Sequence, residues 1–118
     1  MTTTLLVLAG LMGAAGIVLA AASAHGTPGA GLDSAGYILL FHATALLGGV
    51  SLLHQAIVGR TVGLIALSGF VLGATLFAGD VAARAWIGHR LFPMAAPTGG
   101  TILIASWLVF SVAALLGR

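Results

Sequence analysis

Apolar residues fall in four long continuous runs, at about residues 4–24, 35–57, 62–84 and 99–116, separated by short polar or Gly/Pro-rich breaks. A helix needs about 20 mostly apolar residues to cross the hydrocarbon of a bilayer, and each run is close to that length. The runs lack the apolar/polar alternation of a lipid-facing strand, which favours helices over a barrel. The pattern predicts one all-α integral membrane domain over residues 1–118. Its architecture is a compact bundle of four transmembrane helices with both termini on the same side. The first run ends in Ala22-Ser23-Ala24, which resembles a signal-peptidase site. Met1-Thr2-Thr3-Thr4 has no positive charge, and the run is longer than a signal-peptide core, so a true span is expected.

The breaks have identifiable causes. His25 to Ser34 is rich in Gly and holds Pro28, and reads as a loop with Asp33 or Ser34 as N-cap of the second span. Gly59-Arg60-Thr61 reads as a short polar turn that makes spans two and three an antiparallel hairpin. Gly88 to Pro97 separates spans three and four. Trp86, Leu91, Phe92 and Met94 are mixed there with Arg84, His89 and Arg90, a composition suited to the headgroup layer.

Composition changes the picture in one direction. The 118 residues are 60% hydrophobic and 5% charged, against about 25% charged in a soluble domain. Soluble enzyme classes are largely ruled out on that ground. Four arginines, two aspartates and no cysteine leave no disulfide, no thiolate nucleophile and no Cys-based metal site. The net charge of +2 comes from scattered residues, so no nucleic-acid surface is expected. Arg60 and Arg118 lie on the terminal side and Arg84 and Arg90 on the other. This near balance leaves only a lean towards cytoplasmic termini.

In lipid, burying leucine gains little, and close approach of backbones through small residues matters more. Gly16, Ala20 and Ala24 recur at intervals of four in span one, with Gly10 and Gly13 before them. Span two has Ala45 and Gly49, and span three has Gly69 and Gly73. Span four has Gly99 and Gly100 at its start, then Ser106, Ser111 and Ala114. Each set can form a seam within the bundle or between subunits.

Ionisable groups inside spans are costly, so each is a candidate for function. Asp80 and Arg84 share a helix face one turn apart. They form either a self-neutralising pair with Arg84 snorkelling outward, or an ion relay, proton relay or partner-binding pair. His42 is either a neutral imidazole hydrogen-bonded across the bundle or a ligand or proton site. His25, at the end of span one, reads as an interfacial or loop-anchoring residue. His54 and Gln55 should face headgroups, and His89 carries no specific signal.

A bis-histidine metal or haem site is not expected. With the first hairpin turning near Gly29, His42 lies about 12 Å deeper than His25. His25, Tyr37, Asp80 and Thr98 all fall towards the end bearing loops one and three, with His42 deeper, and any polar site belongs there. Pro97-Thr98-Gly99-Gly100 opens span four, where free amides can bind an anion or cap a neighbour. No catalytic triad order, P-loop, dinucleotide fingerprint or HExxH occurs. No cofactor, metal or enzymatic activity is expected.

The chain resembles the small membrane-protein family DUF423. Gly13-Ala14-Ala15-Gly16 followed by Ala24-His25-Gly26 resembles that family's first span and its Ala-His-Gly element. Phe41-His42-Ala43 followed by Ala45-Leu46-Leu47 resembles its Tyr-His-Ala-Leu-Ala-Leu element. Phe77-Ala78-Gly79-Asp80, Ala96-Pro97-Thr98-Gly99-Gly100 and Ser106-Trp107 resemble Phe-Ser-Gly-Ser, Thr-Pro-x-Gly-Gly and Gly-Trp. Asp80 departs from the family's serine, and the first loop is shorter. The resemblance implies four spans in a bacterial inner (plasma) membrane or similar. It points to His25, His42, Pro97, Gly99 and Gly100 without giving them roles, and supplies no biochemical activity.

Three functional expectations follow. The first is a structural or interaction protein, acting as a homo-oligomer or an accessory subunit of a membrane complex. The second is an oligomeric proton, ion or small-solute transporter or channel using His42 and Asp80. The third is a haem- or quinone-associated redox protein.

Overall fold

The computed structural model describes residues 1–26 and 28–117; Thr27 in the first loop, and Arg118 with its place in the charge balance, lie outside the described residues. The described chain is all helical: α1 is Thr2–His25, α2 is Leu32–His54, α3 is Arg60–Trp86 and α4 is Ala95–Leu115. All four are long and apolar enough to cross a membrane.

Several boundaries differ from the sequence expectation. The residue that starts α2 is Gly31, at φ 81° and ψ 8°, and neither Asp33 nor Ser34 caps the helix. Asp33 sits inside the first turn, and its Oδ1 accepts the neighbouring Ser34 N–H at 2.8 Å. Glycine tolerates this left-handed backbone without strain. At its other end α2 stops at His54, and the turn to α3 is 55–59 rather than Gly59–Thr61. The Gly59 N–H closes this turn onto α4 by donating to the Ala113 carbonyl at 2.7 Å. Helix α4 begins at Ala95, so Pro97 to Gly100 lie within its first turns. Pro97 is tolerated there because the first amides of a helix have no intrahelical partner.

Helix α1 packs on α2, α3 packs on α4, and α2 meets α3 in the middle. Among the described residues, the backbone of α4 closely approaches neither α1 nor α2. The outer helices are therefore α1 and α4. The core runs through Leu5, Met12 and Leu19 of α1, Leu39 and Leu46 of α2, Leu67 and Phe70 of α3, and Leu103 of α4. Met1 borders Thr61 and Leu64, and Leu116 borders Gly59, so both described ends of the chain lie at the α2–α3 turn.

The two hairpins cross in the same way. A Cβ added at Gly16 would lie 2.8 Å from the Gly36 carbonyl oxygen and 2.9 Å from Leu40 Cγ. A Cβ added at Gly73 would lie 2.8 Å from the Gly99 carbonyl oxygen and 2.8 Å from Leu103 Cγ. Seen from the other helix, Gly36 faces the Gly16 carbonyl and the Ala20 amide, and Gly99 faces the Gly73 carbonyl and the Phe77 amide. Gly31 precedes Gly36 by five residues, as Met94 precedes Gly99, and both have left-handed backbones. Only glycine allows backbones this close, so each hairpin is pinned at one level.

The expected seams can now be placed. Gly16 and Ala20 lie in the α1–α2 crossing, whose second glycine is Gly36. Gly49 receives the side chain of Leu67 at the α2–α3 contact. Gly69 abuts Ser106, and Gly73 abuts Gly99, both between α3 and α4. These two glycines therefore serve the fold, and placing leucines there would disrupt the hairpin itself rather than selectively disrupt assembly. A Cβ added at Gly100 would meet nothing within 4 Å, so no neighbouring helix requires a glycine there.

Candidate functional site

His42 is 5% exposed and sits in the middle of α2. Its Nδ1 lies 2.7 Å from the Ile38 carbonyl oxygen, and the Trp107 indole N–H donates to its Nε2 at 3.1 Å. An indole nitrogen only donates. Nε2 must therefore be the accepting nitrogen, and Nδ1 carries the hydrogen given to Ile38. This is a neutral imidazole with both nitrogens engaged. Phe70 of α3 lies edge-on to the imidazole at 5.4 Å between ring centres and 4.5 Å from the Trp107 ring, with Phe110 6.3 Å beyond. Three helices meet in this cluster. The His42–Trp107 hydrogen bond joins α2 to α4, whose backbones do not approach each other.

Asp80 is 0% exposed. Its Oδ1 accepts the Leu91 N–H from the α3–α4 loop at 3.0 Å. Leu91 also lies over Gly79, where an added Cβ would be 3.5 Å from Leu91 Cδ1. Asp80 thus holds the loop down onto α3. Its Oδ2 lies 3.6 Å from Arg84 Nε and, among the described residues, accepts no hydrogen bond. Arg84 is 43% exposed along its side chain, so the pair is buried at one end and open at the other. A carboxylate near the C-terminal end of a helix opposes the helix dipole, whereas Arg84 one turn later complements it.

Two clefts flank Arg84. One, of about 350 Å³, is lined by Phe77, Arg84, Arg90, Ala96, Pro97 and Gly100. The other, of about 470 Å³, includes Gly29, Gly31, Ser34, Phe77, Val81 and Arg84. Neither is lined by His42 or Asp80. Register explains the separation. Gly31 of α2 faces Val81, and His42 faces Phe70. His42 is therefore about 15 Å further down the bundle than Asp80, at 1.5 Å per residue.

The remaining candidates do not converge. Tyr37 is 51% exposed and stacks on Phe41 at 6.3 Å. His25 and Thr98 are exposed. Of His25, Tyr37, His42, Asp80, Arg84 and Thr98, the structure pairs Asp80 with Arg84, and among the described residues no hydrogen bond or ion pair joins either of them to the other four. Among the described residues no three His, Cys, Asp or Glu side chains come together to hold a metal ion. Sequence reasoning missed Gly36, Phe70, the Leu91 amide and Trp107 as a partner of His42. Trp107 carried a usable signal, because a lone indole N–H inside an apolar run needs an acceptor. The Leu91 amide carried none.

Residues 19–100 match the family described as protein of unknown function (DUF423). The chain belongs to the DUF423 family. Comparisons with curated proteins and with solved structures found no match. The stretch matched to DUF423 contains Gly36, His42, Gly73, Asp80 and Gly99. Gly16 and Trp107, partners of Gly36 and His42, lie outside it.

Proposed function

We propose that this DUF423 chain is an integral membrane protein that acts by assembly, as a homo-oligomer or as an accessory subunit of a membrane complex. One observation carries the reading. The two buried ionisable side chains, His42 and Asp80, are held inside the chain: His42 by Ile38 and Trp107, and Asp80 by the Leu91 amide and the nearby Arg84. The outer faces of α1 and α4 are meanwhile apolar and exposed, including Leu6, Ile17, Ile104, Leu108 and Val112. Such faces suit lipid and neighbouring helices, whose association in lipid rests on packing. The orientation proposed places both termini in the cytoplasm of a bacterial inner membrane.

Native mass spectrometry after mild extraction from the cell's own membrane tests this. Multiples of the chain mass or additional subunits are expected. A single chain with no protein partner would overturn it.

A second reading, an oligomeric proton, ion or small-solute path, draws on the buried Asp80 Oδ2 that accepts no hydrogen bond. Flux through proteoliposomes should then fall in Asp80→Asn. Equal flux in the variant and the unmodified protein removes this reading.

A further inference from the structure

One buried carboxylate sets the position of two arginines. Asp80 Oδ2 lies 3.6 Å from Arg84 Nε, one helical turn on in α3. Asp80 Oδ1 accepts the Leu91 N–H at 3.0 Å, which fixes the peptide joining Arg90 to Leu91. Asp80 is fully buried, whereas Arg84 and Arg90 are exposed. Both arginines line the same cleft of about 350 Å³, whose other walls are Phe77, Ala96, Pro97 and Gly100. Among the described residues Arg90 makes no ion pair.

The charge of this cleft favours an anion. Setting Asp80 against Arg84 and Arg90 leaves one formal positive charge. Ala96 and Pro97 belong to the first turn of α4, so the positive end of that helix dipole adds to it. The other cleft beside Arg84 has no second arginine in its lining, and the N–H of its Ser34 is taken by the Asp33 carboxylate.

Gly100 keeps the cleft open. Gly99 must be glycine because the backbone of α3 lies against it, but a Cβ at Gly100 would meet nothing within 4 Å. Glycine without a packing role costs helix stability relative to alanine. Here it leaves one wall of the cleft free of a side chain. Phe77 supplies an apolar wall. In the adjoining segment Trp86, Leu91, Phe92 and Met94 are exposed, a mix that settles at headgroup level in a bilayer.

We infer that this cleft binds a phosphate group, with Arg84 and Arg90 as its ligands and Asp80 as the residue that positions both. Guanidinium groups match phosphate oxygens in charge and geometry. The phosphate belongs either to an anionic phospholipid headgroup or to a free phosphate. The single charge of a phosphodiester matches the single positive charge of the cleft, and the Phe77 wall suits the glycerol of a lipid. This inference rests on the membrane placement proposed above and not on assembly, because one chain supplies both arginines.

Two probes test it on the detergent-extracted chain: phosphatidylglycerol, followed by native mass spectrometry, and inorganic phosphate, followed by titration calorimetry. One phosphatidylglycerol should stay bound per chain. Arg90→Gln, which breaks no ion pair, should weaken binding by about five-fold or more. Gly100→Leu fills the cleft from a position with free space and should weaken it at least as much. Arg60→Gln removes the same charge at the opposite end of α3 and should bind like the unmodified protein.

Phosphatidylglycerol binding with this pattern assigns the lipid headgroup as the source. The same pattern with inorganic phosphate alone assigns free phosphate, and either supports the site. Binding of neither probe overturns the inference. So does binding that ignores both Arg90→Gln and Gly100→Leu, or an equal loss in Arg60→Gln, which marks diffuse charge attraction. A chain that leaves the membrane fraction without detergent overturns the membrane placement itself.

Discussion

In the first hairpin Gly36 of α2 lies over Gly16 and Ala20 of α1; in the second Gly99 of α4 lies over Gly73 and Phe77 of α3. Around the second crossing stand Asp80, Arg84, Ser106 and Trp107. Helix α1 has no polar side chain between Leu5 and Leu19. The same geometry thus forms with and without polar neighbours. A glycine pair suffices to set a hairpin, because it admits backbone against backbone where dispersion contacts are dense. The polar groups do other work. His42 and Trp107 tie the first hairpin to the second, and Asp80 closes the longer of the two top loops.

The largest expected effect breaks the crossings themselves. Gly16→Leu and Gly73→Leu should each cost about 3 kcal/mol or more, since the new side chain meets a backbone carbonyl that has no room to retreat. Unfolding in mixed micelles should show similar losses for both. Tolerance of one but not the other would end the claim that the hairpins are equivalent.

Next come the ties between hairpins. His42→Leu leaves the Trp107 N–H without its acceptor and should cost about 1–3 kcal/mol. Adding Trp107→Phe should then cost less than Trp107→Phe costs alone. A double-mutant cycle in the same micelles checks this, and strict additivity would show that the hydrogen bond contributes nothing measurable.

Asp80 distinguishes a loop anchor from a charge requirement. Asp80→Leu removes the acceptor for Leu91 and should expose the loop 87–94, read as faster hydrogen exchange at the Leu91 amide. Asp80→Asn keeps a carbonyl oxygen for that amide, so most of the protection should survive. Equal exchange in the two variants would shift the role from hydrogen bonding to the ion pair with Arg84.

The smallest effect is at Gly100, one residue past the crossing. Gly100→Ala enters open space in a helix and should be neutral or stabilise by about 1 kcal/mol at most. A marked loss in thermal unfolding would mean that Gly100 packs against something outside the chain.

Much of the fold was legible in the residues, and less of the site was. The four apolar runs located four helices, with ends displaced by a few residues at Gly31, His54 and Ala95. The displaced ends have local causes: a left-handed glycine, and a proline placed where the first helical turn accepts it. Gly16, Gly49 and Gly73 stood out as small residues at helical spacing. Gly99, the partner of Gly73, was among the expected seam residues, whereas Gly36, the partner of Gly16, looks like any other glycine until the helices cross.

By itself the sequence determined the number and length of the helices and the scarcity of charge. Those properties depend on the hydropathy of neighbouring residues, which a linear reading sees. Each helix is apolar nearly all the way round, so little in the pattern marked which face turns inward. Tertiary structure alone decided that Gly16 meets Gly36, that His42 meets a tryptophan on α4, and that Asp80 meets the Leu91 amide. These pairings depend on the register and rotation of one helix against another. In an apolar bundle that choice rests on close packing and a few directional hydrogen bonds, which exist only once the chain has folded.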